Sequence, residues 1–179
     1  MTPTRLRRLS ITLGLVVGLA ATAGIVVARL RAHHVPQPQH WTGPVVVVVD
    51  EIAVDRMDGA RRAVEWWHAR GWDIAVLGVG DYATAPDGDV LLTEPSGTVA
   101  FADDSGELGV CATRSDGDRI VSATIAIDPV IAVGSEREVD VLRHELGHAL
   151  GFGHAAFTGS VMSNGIEAFG KDDAGLRAP

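Results

Sequence analysis

The sequence predicts an α+β domain of α/β-like character, and three observations lead there. Val45 to Val49 is an unbroken β-branched run, the pattern of a strand buried on both faces in the middle of a sheet. A helical period follows it, and a second apolar run follows that, so a parallel crossover of right-handed sense is expected. Two further runs flank the turn residues Ser115-Asp116-Gly117-Asp118, which predicts a hairpin.

Taken in order, Pro44 introduces the first strand, which ends at Asp50. Asp55 is the expected N-cap of a helix over Arg56 to Arg70, with Met57, Ala60, Val64 and Trp67 on its apolar face and Gly71 ending it. Trp72 to Val79 reads as the second strand and Asp89 to Thr93 as the third. Between Glu94 and Gly109 the chain is rich in Gly, Ser and Asp, broken by the apolar Thr98 to Ala102. Leu108 to Thr113 and Arg119 to Asp128 are the two strands of the hairpin. Ser135 is placed to cap a last long helix, with Glu138 completing a capping box. Val139, Leu142, Leu146 and Leu150 give that helix a core-facing stripe.

The N-terminal 43 residues have a different character. Residues 1–8 form a basic tail with Arg5, Arg7 and Arg8, and Leu9 to Ala28 is a 20-residue apolar stretch. As a helix that stretch would cover the roughly 30 Å of a bilayer's hydrocarbon. The arginines before it favour a cytoplasmic N-terminus, so the expectation is a single-pass anchor in the cell membrane with the rest of the chain outside. The alternative is a secretory signal cleaved near Ala23, after Ala21-Thr22-Ala23. Residues 29–43, with Pro36 and Pro38, read as a stiff linker, and residues 44–179 as the folded domain.

All 23 acidic residues lie beyond residue 40, against ten basic ones, because five of the 15 lysines and arginines precede it. The resulting formal charge of −13 repels nucleic acid, which is excluded as a partner. One cysteine, Cys111, excludes an intrachain disulfide.

Chemistry concentrates in His144-Glu145-Leu146-Gly147-His148-Ala149-Leu150-Gly151-Phe152-Gly153-His154. On a helix His144 and His148 project from one face and can hold one metal ion. Gly151 can take a positive φ and turn the chain so that His154 returns as a third ligand. Three neutral imidazoles leave a fourth position for water, as in a catalytic zinc site, and Glu145 beside the first ligand can take a proton from the attacking water. His33, His34, His40 and His68 have no such spacing and read as linker or surface residues.

With Met162 eight residues after His154, in Gly159-Ser160-Val161-Met162-Ser163, this signature resembles that of the metzincin zinc metallopeptidases, and the short gap is most similar to their matrixin-like branch. The resemblance implies a twisted mixed sheet with one antiparallel edge strand, a first helix, an active-site helix and a short C-terminal helix. It implies a zinc endopeptidase acting on protein or peptide, with Met162 in a Met-turn beneath the imidazoles. Gly109, Val110, Cys111 and Ala112 would be the edge strand that pairs with substrate. Lys171 to Arg177 resembles the start of the last helix, where Asp172 or Asp173 would buttress the Met-turn. Ser163 to Ala168 would shape the primed-side pocket.

The chain departs from the family in lacking a counterpart of its zinc-blocking cysteine and of its His/Asp-rich metal loop. Asp103, Asp104 and Glu107 offer oxygen ligands for calcium without EF-hand spacing, and read as a solvated loop. Two other functions fit the same motif: a zinc-binding envelope protein that does not cleave, and a zinc amidase acting on a non-protein cell-envelope amide.

Overall fold

A computed structural model describes residues 39–96, 101, 106–155, 160–163 and 176. Within them the chain is mixed α+β, a five-stranded mixed sheet with two helices. The strands are β1 (Val45–Asp50), β2 (Ile74–Gly80), β3 (Asp89–Thr93), β4 (Gly109–Asp116) and β5 (Arg119–Ile127), and the helices are α1 (Met57–His68) and α2 (Glu136–Ala149). Their order across the sheet is β2-β1-β3-β5-β4. Four strands are parallel, and β4 alone runs antiparallel, at the edge beside β5.

The period of two along each strand decides what faces the helices. Val45, Val47 and Val49 of β1, Val90 and Leu92 of β3, and Ala123, Ile125 and Ile127 of β5 are buried in one core with Trp67 of α1 and Leu142 and Leu146 of α2. All four expected stripe residues of α2, Val139, Leu142, Leu146 and Leu150, are buried.

Several boundaries differ from expectation for identifiable reasons. The chain leaves β1 through a 3-10 segment, Glu51–Arg56, whose cap is Asp50: its side chain accepts from the Ile52 N–H at 3.4 Å. Asp55 therefore lies inside this segment and does not start α1. The hairpin turn is only Gly117-Asp118, Gly117 having φ 64°, so β4 runs on through Asp116. Ser135 does cap α2, accepting from the Glu138 N–H at 3.1 Å. Glu138 does not complete the box, because its carboxylate accepts instead from Gly134 N–H (2.8 Å) and Arg56 Nη1 (2.7 Å). Arg56 in turn holds Glu94 (2.8 Å), tying the start of α1 and the end of β3 to the start of α2.

Among the described residues no helix is long and apolar enough to cross a membrane. The expectation of a single-pass cell-membrane protein with its catalytic domain outside is corrected on that finding. The longer helix, α2, has 14 residues, and at 1.5 Å per residue it covers about 21 Å, short of a bilayer's roughly 30 Å of hydrocarbon. Leu9 to Ala28, Thr98 to Ala102 apart from Phe101, Asp103, Asp104, Asn164 to Ala168, and Asp172 and Asp173 with the C-terminal helix expected around them lie outside the described residues.

Candidate metal centre

Helix α2 brings His144 and His148 onto one face, and its C-terminal end delivers the third imidazole. Leu150 closes the helix, and Gly151 follows in the left-handed region at φ 98°. Gly151 N–H donates to the His148 carbonyl (3.0 Å) and Phe152 N–H to the Gly147 carbonyl (3.0 Å). These two bonds make a Schellman ending, which a positive-φ glycine allows at little cost. The chain turns back through Gly153, and His154 Nε2 comes to 3.3 Å from His144 Nε2 and 3.1 Å from His148 Nε2. The remaining pair, His144 and His148, is 3.1 Å apart at Nε2.

The other ring nitrogens fix the tautomers. His144 Nδ1 is 2.6 Å from the Val161 carbonyl, and His148 Nδ1 is 2.9 Å from the Phe152 carbonyl. A carbonyl can only accept, so both Nδ1 atoms carry the proton and both Nε2 atoms present lone pairs. Lone pairs facing one another at such distances repel unless a cation lies between them. Nitrogens about 2.0–2.1 Å from a tetrahedral ion stand about 3.3–3.4 Å from each other. The three separations match that figure within a few tenths of an ångström, so these residues fit a metal ion. Burial lowers the pKa of His144 and brings that of His148 down to about 4; neighbouring imidazoles add to the effect and the carbonyl bonds oppose it. Both shifts favour the neutral imidazole, the form in which a histidine can hold a metal.

Met162 packs against the helix at Gly147, between the two helical histidines in the sequence. It is 1 % exposed, in a tight turn in which Met162 N–H donates to Ser160 Oγ (3.1 Å) and Ser163 Oγ donates to the Ser160 carbonyl (2.5 Å). Ala155 N–H donates to the Met162 carbonyl at 2.7 Å, which pins the chain just after His154 to this turn. The turn thus bears on two of the three histidines: Val161 orients His144, and Met162 anchors the residue after His154.

Glu145, one residue after His144, is 5 % exposed and packs beneath the first residue of β4. A Cβ on Gly109 would come within 2.8 Å of Glu145 Oε1, so glycine there leaves room for the carboxylate. Burial, with the charge of Glu107 adding to it, pushes the Glu145 pKa up to about 8. A raised value makes the carboxylate a stronger base, and a dication bound beside it would favour the ionised form that accepts a proton. Of the four expected substrate-strand residues, Gly109, Val110, Cys111 and Ala112 all lie in β4, whose outer edge has no partner strand among the described residues. Burial, with the charge of Glu145 adding to it, raises the Cys111 pKa far above the thiol range, so Cys111 is a thiol and not a nucleophile.

No protein-family model and no curated protein matches the chain. What the site can do is carried by its own geometry.

Some of that geometry is not foreshadowed by the motif. Gly147 is the crossing point of the site: a Cβ there would run into Met162 Sδ and come within 3.0 Å of Trp67 Cζ2. Trp67 is wholly buried, donates from its indole N–H to the Arg143 carbonyl (2.9 Å), and stacks on Phe152 with centroids 5.5 Å apart. Phe152 therefore holds its place through its ring while its carbonyl orients His148. A hollow of about 700 Å³ lies on the sheet face away from the helices, walled in part by Asp50, Tyr82, Thr93 and Arg114, and contains no residue of the metal motif.

Proposed function

We propose that the chain is a zinc-dependent metalloendopeptidase of metzincin architecture, with His144, His148 and His154 holding the ion and Glu145 as general base. The supporting observation is the convergence of three Nε2 atoms within 3.3 Å of one another, two of them from a helix whose intervening buried carboxylate faces an open edge strand. When bound, zinc supplies Lewis acidity, which makes water a nucleophile at neutral pH and polarises a carbonyl.

The protein's own groups do the rest. Val161 and Phe152 keep two imidazoles in the Nδ1–H tautomer, so that their Nε2 lone pairs remain available. Glu145 takes the proton of the attacking water on its carboxylate and passes it to the leaving amine as the peptide bond breaks. A substrate backbone laid along β4 would add a sixth strand, bringing its scissile bond over Glu145 through the gap that Gly109 leaves. Met162 supports the imidazoles from below as an adaptable apolar surface.

The test is metal content and cleavage of a denatured protein substrate by the wild-type chain and by Glu145→Gln. One zinc per chain in both, with chelator-sensitive cleavage in the wild type alone, is the expected result. Equal cleavage by the variant would sink the role given to Glu145. One zinc with no cleavage of any polypeptide would replace the peptidase reading by a binding role or a non-protein amide.

A further inference from the structure

The residues ahead of β1 do more than lead into it. His40, expected as part of a linker, pairs with Arg119 in an isolated parallel bridge. Its N–H donates to the Asp118 carbonyl (3.0 Å), and its own carbonyl accepts from Ile120 N–H (2.8 Å). One residue later, the Trp41 indole N–H donates to the Ala149 carbonyl at 2.8 Å. One residue earlier, the Gln39 carbonyl oxygen presses so closely on Gly151 that no side chain would fit there.

Both of these contacts fall on the ending of α2. Ala149 is the last residue of the helix, and its carbonyl is one of the four that a helix cannot satisfy internally. Gly151 is the left-handed corner from which Phe152 and His154 depart. Anything that holds this corner also places the Phe152 carbonyl behind His148 and sets the path to His154.

We infer that Gln39–Trp41 is a strap across the end of α2, and that Trp41 is a positioning residue for the metal ligands His148 and His154. The inference rests on the metal-binding reading of the site. It differs from the ligand assignment in that the strap's contacts fall on Ala149 and Gly151 and on the hairpin, through which it acts. The strap is clamped at its other side by the β4–β5 hairpin, so the corner is fixed against the sheet and does not depend on the helix alone.

The test uses the full-length chain in four forms: wild type, Trp41→Phe, His40→Pro and His154→Ala. Phenylalanine keeps the ring and removes the indole donor; proline removes the His40 N–H. Zinc affinity is read by competition with a chromophoric chelator, metal-free melting temperature by circular dichroism, and ligand geometry by the visible absorption of the cobalt-loaded protein. Losing one such hydrogen bond corresponds to a weakening of about three- to tenfold. Both strap variants are expected to bind zinc more weakly by about that factor, with altered cobalt bands. A strap that only stabilises the fold would lower the metal-free melting temperature and leave affinity and cobalt bands unchanged, which would overturn the inference. In that case His154→Ala would still weaken binding, and the ligand assignment would stand. A wild-type chain that binds no zinc would remove both.

Discussion

Gly147 and Met162 are in direct contact, the glycine Cα lying where any side chain would strike the methionine sulfur. The glycine is in the interior of α2, where it costs roughly 1 kcal/mol relative to alanine. That cost is offset by close approach: the turn carrying Met162 and the Trp67 ring can both reach the helix at this point.

Gly147→Ala is expected to destabilise the protein despite the better helix former, by about 1–3 kcal/mol, the usual penalty for overpacking. Urea unfolding of the metal-free protein measures it. A stabilised variant would show that Met162 moves aside freely.

Arg56 is nearly buried between Glu94 and Glu138, and Glu138 has no exposure at all. Burial alone would lower the Arg56 pKa, yet the two carboxylates raise it, so the guanidinium is fully charged. Arg56→Met strands a buried carboxylate and is expected to cost about 3–5 kcal/mol. Adding Glu138→Leu should recover much of that loss, which a comparison of the single and double variants by chemical denaturation would reveal.

The metal-free protein should lose stability in acid through His148. Its ring has a folded pKa of about 4 against an ordinary 6.5, so between those values the unfolded chain takes up a proton that the folded one refuses. Stability therefore falls as pH drops through that window. Glu145 works in the opposite sense: with a folded pKa of about 8 against 4.5, its share is lost as pH rises between them. Melting temperatures of the chelator-treated protein from pH 4 to 8 should show a flatter acid limb for His148→Gln and a flatter alkaline limb for Glu145→Gln.

Zinc should raise the melting temperature of the wild type, because an ion that binds only the folded chain stabilises it. The rise should vanish in His148→Ala, which removes the ligand shared by the two shortest Nε2 contacts. Scanning calorimetry with and without added zinc gives the answer. A full rise in that variant would place the ion elsewhere.

The parts of this architecture that the sequence announces are local. The three histidines and Gly151 are legible because helix period and a positive-φ corner convert fixed spacing into convergence within eleven residues. Val45 to Val49 announces a central strand for a similar reason. Arg56 gives no such signal, since its partner Glu138 is 82 residues away and looks, in the sequence, like half of a capping box. Asp50 outcompetes Asp55 as a cap because the chain coils directly out of β1, which hydrophobic period does not encode. Gln39 to Trp41 resemble a linker in composition, and their bonds to residues some 80 to 110 positions further on appear only once the sheet is closed.

The two borders of the sheet are unlike. The pairing of β2 with β1 slips between Val47 and Val48 of β1, which leaves Leu77 of β2 as an extra residue, 75 % exposed. A bulge of this sort spoils the even row of donors and acceptors that a stray strand would need. The slip in β4 falls between Arg114 and Ser115, leaving its first six residues regularly paired to β5. Among the described residues the two flanks are therefore unequal templates: an added strand would meet an uneven row along β2 and an even one along the stretch of β4 that runs past Glu145.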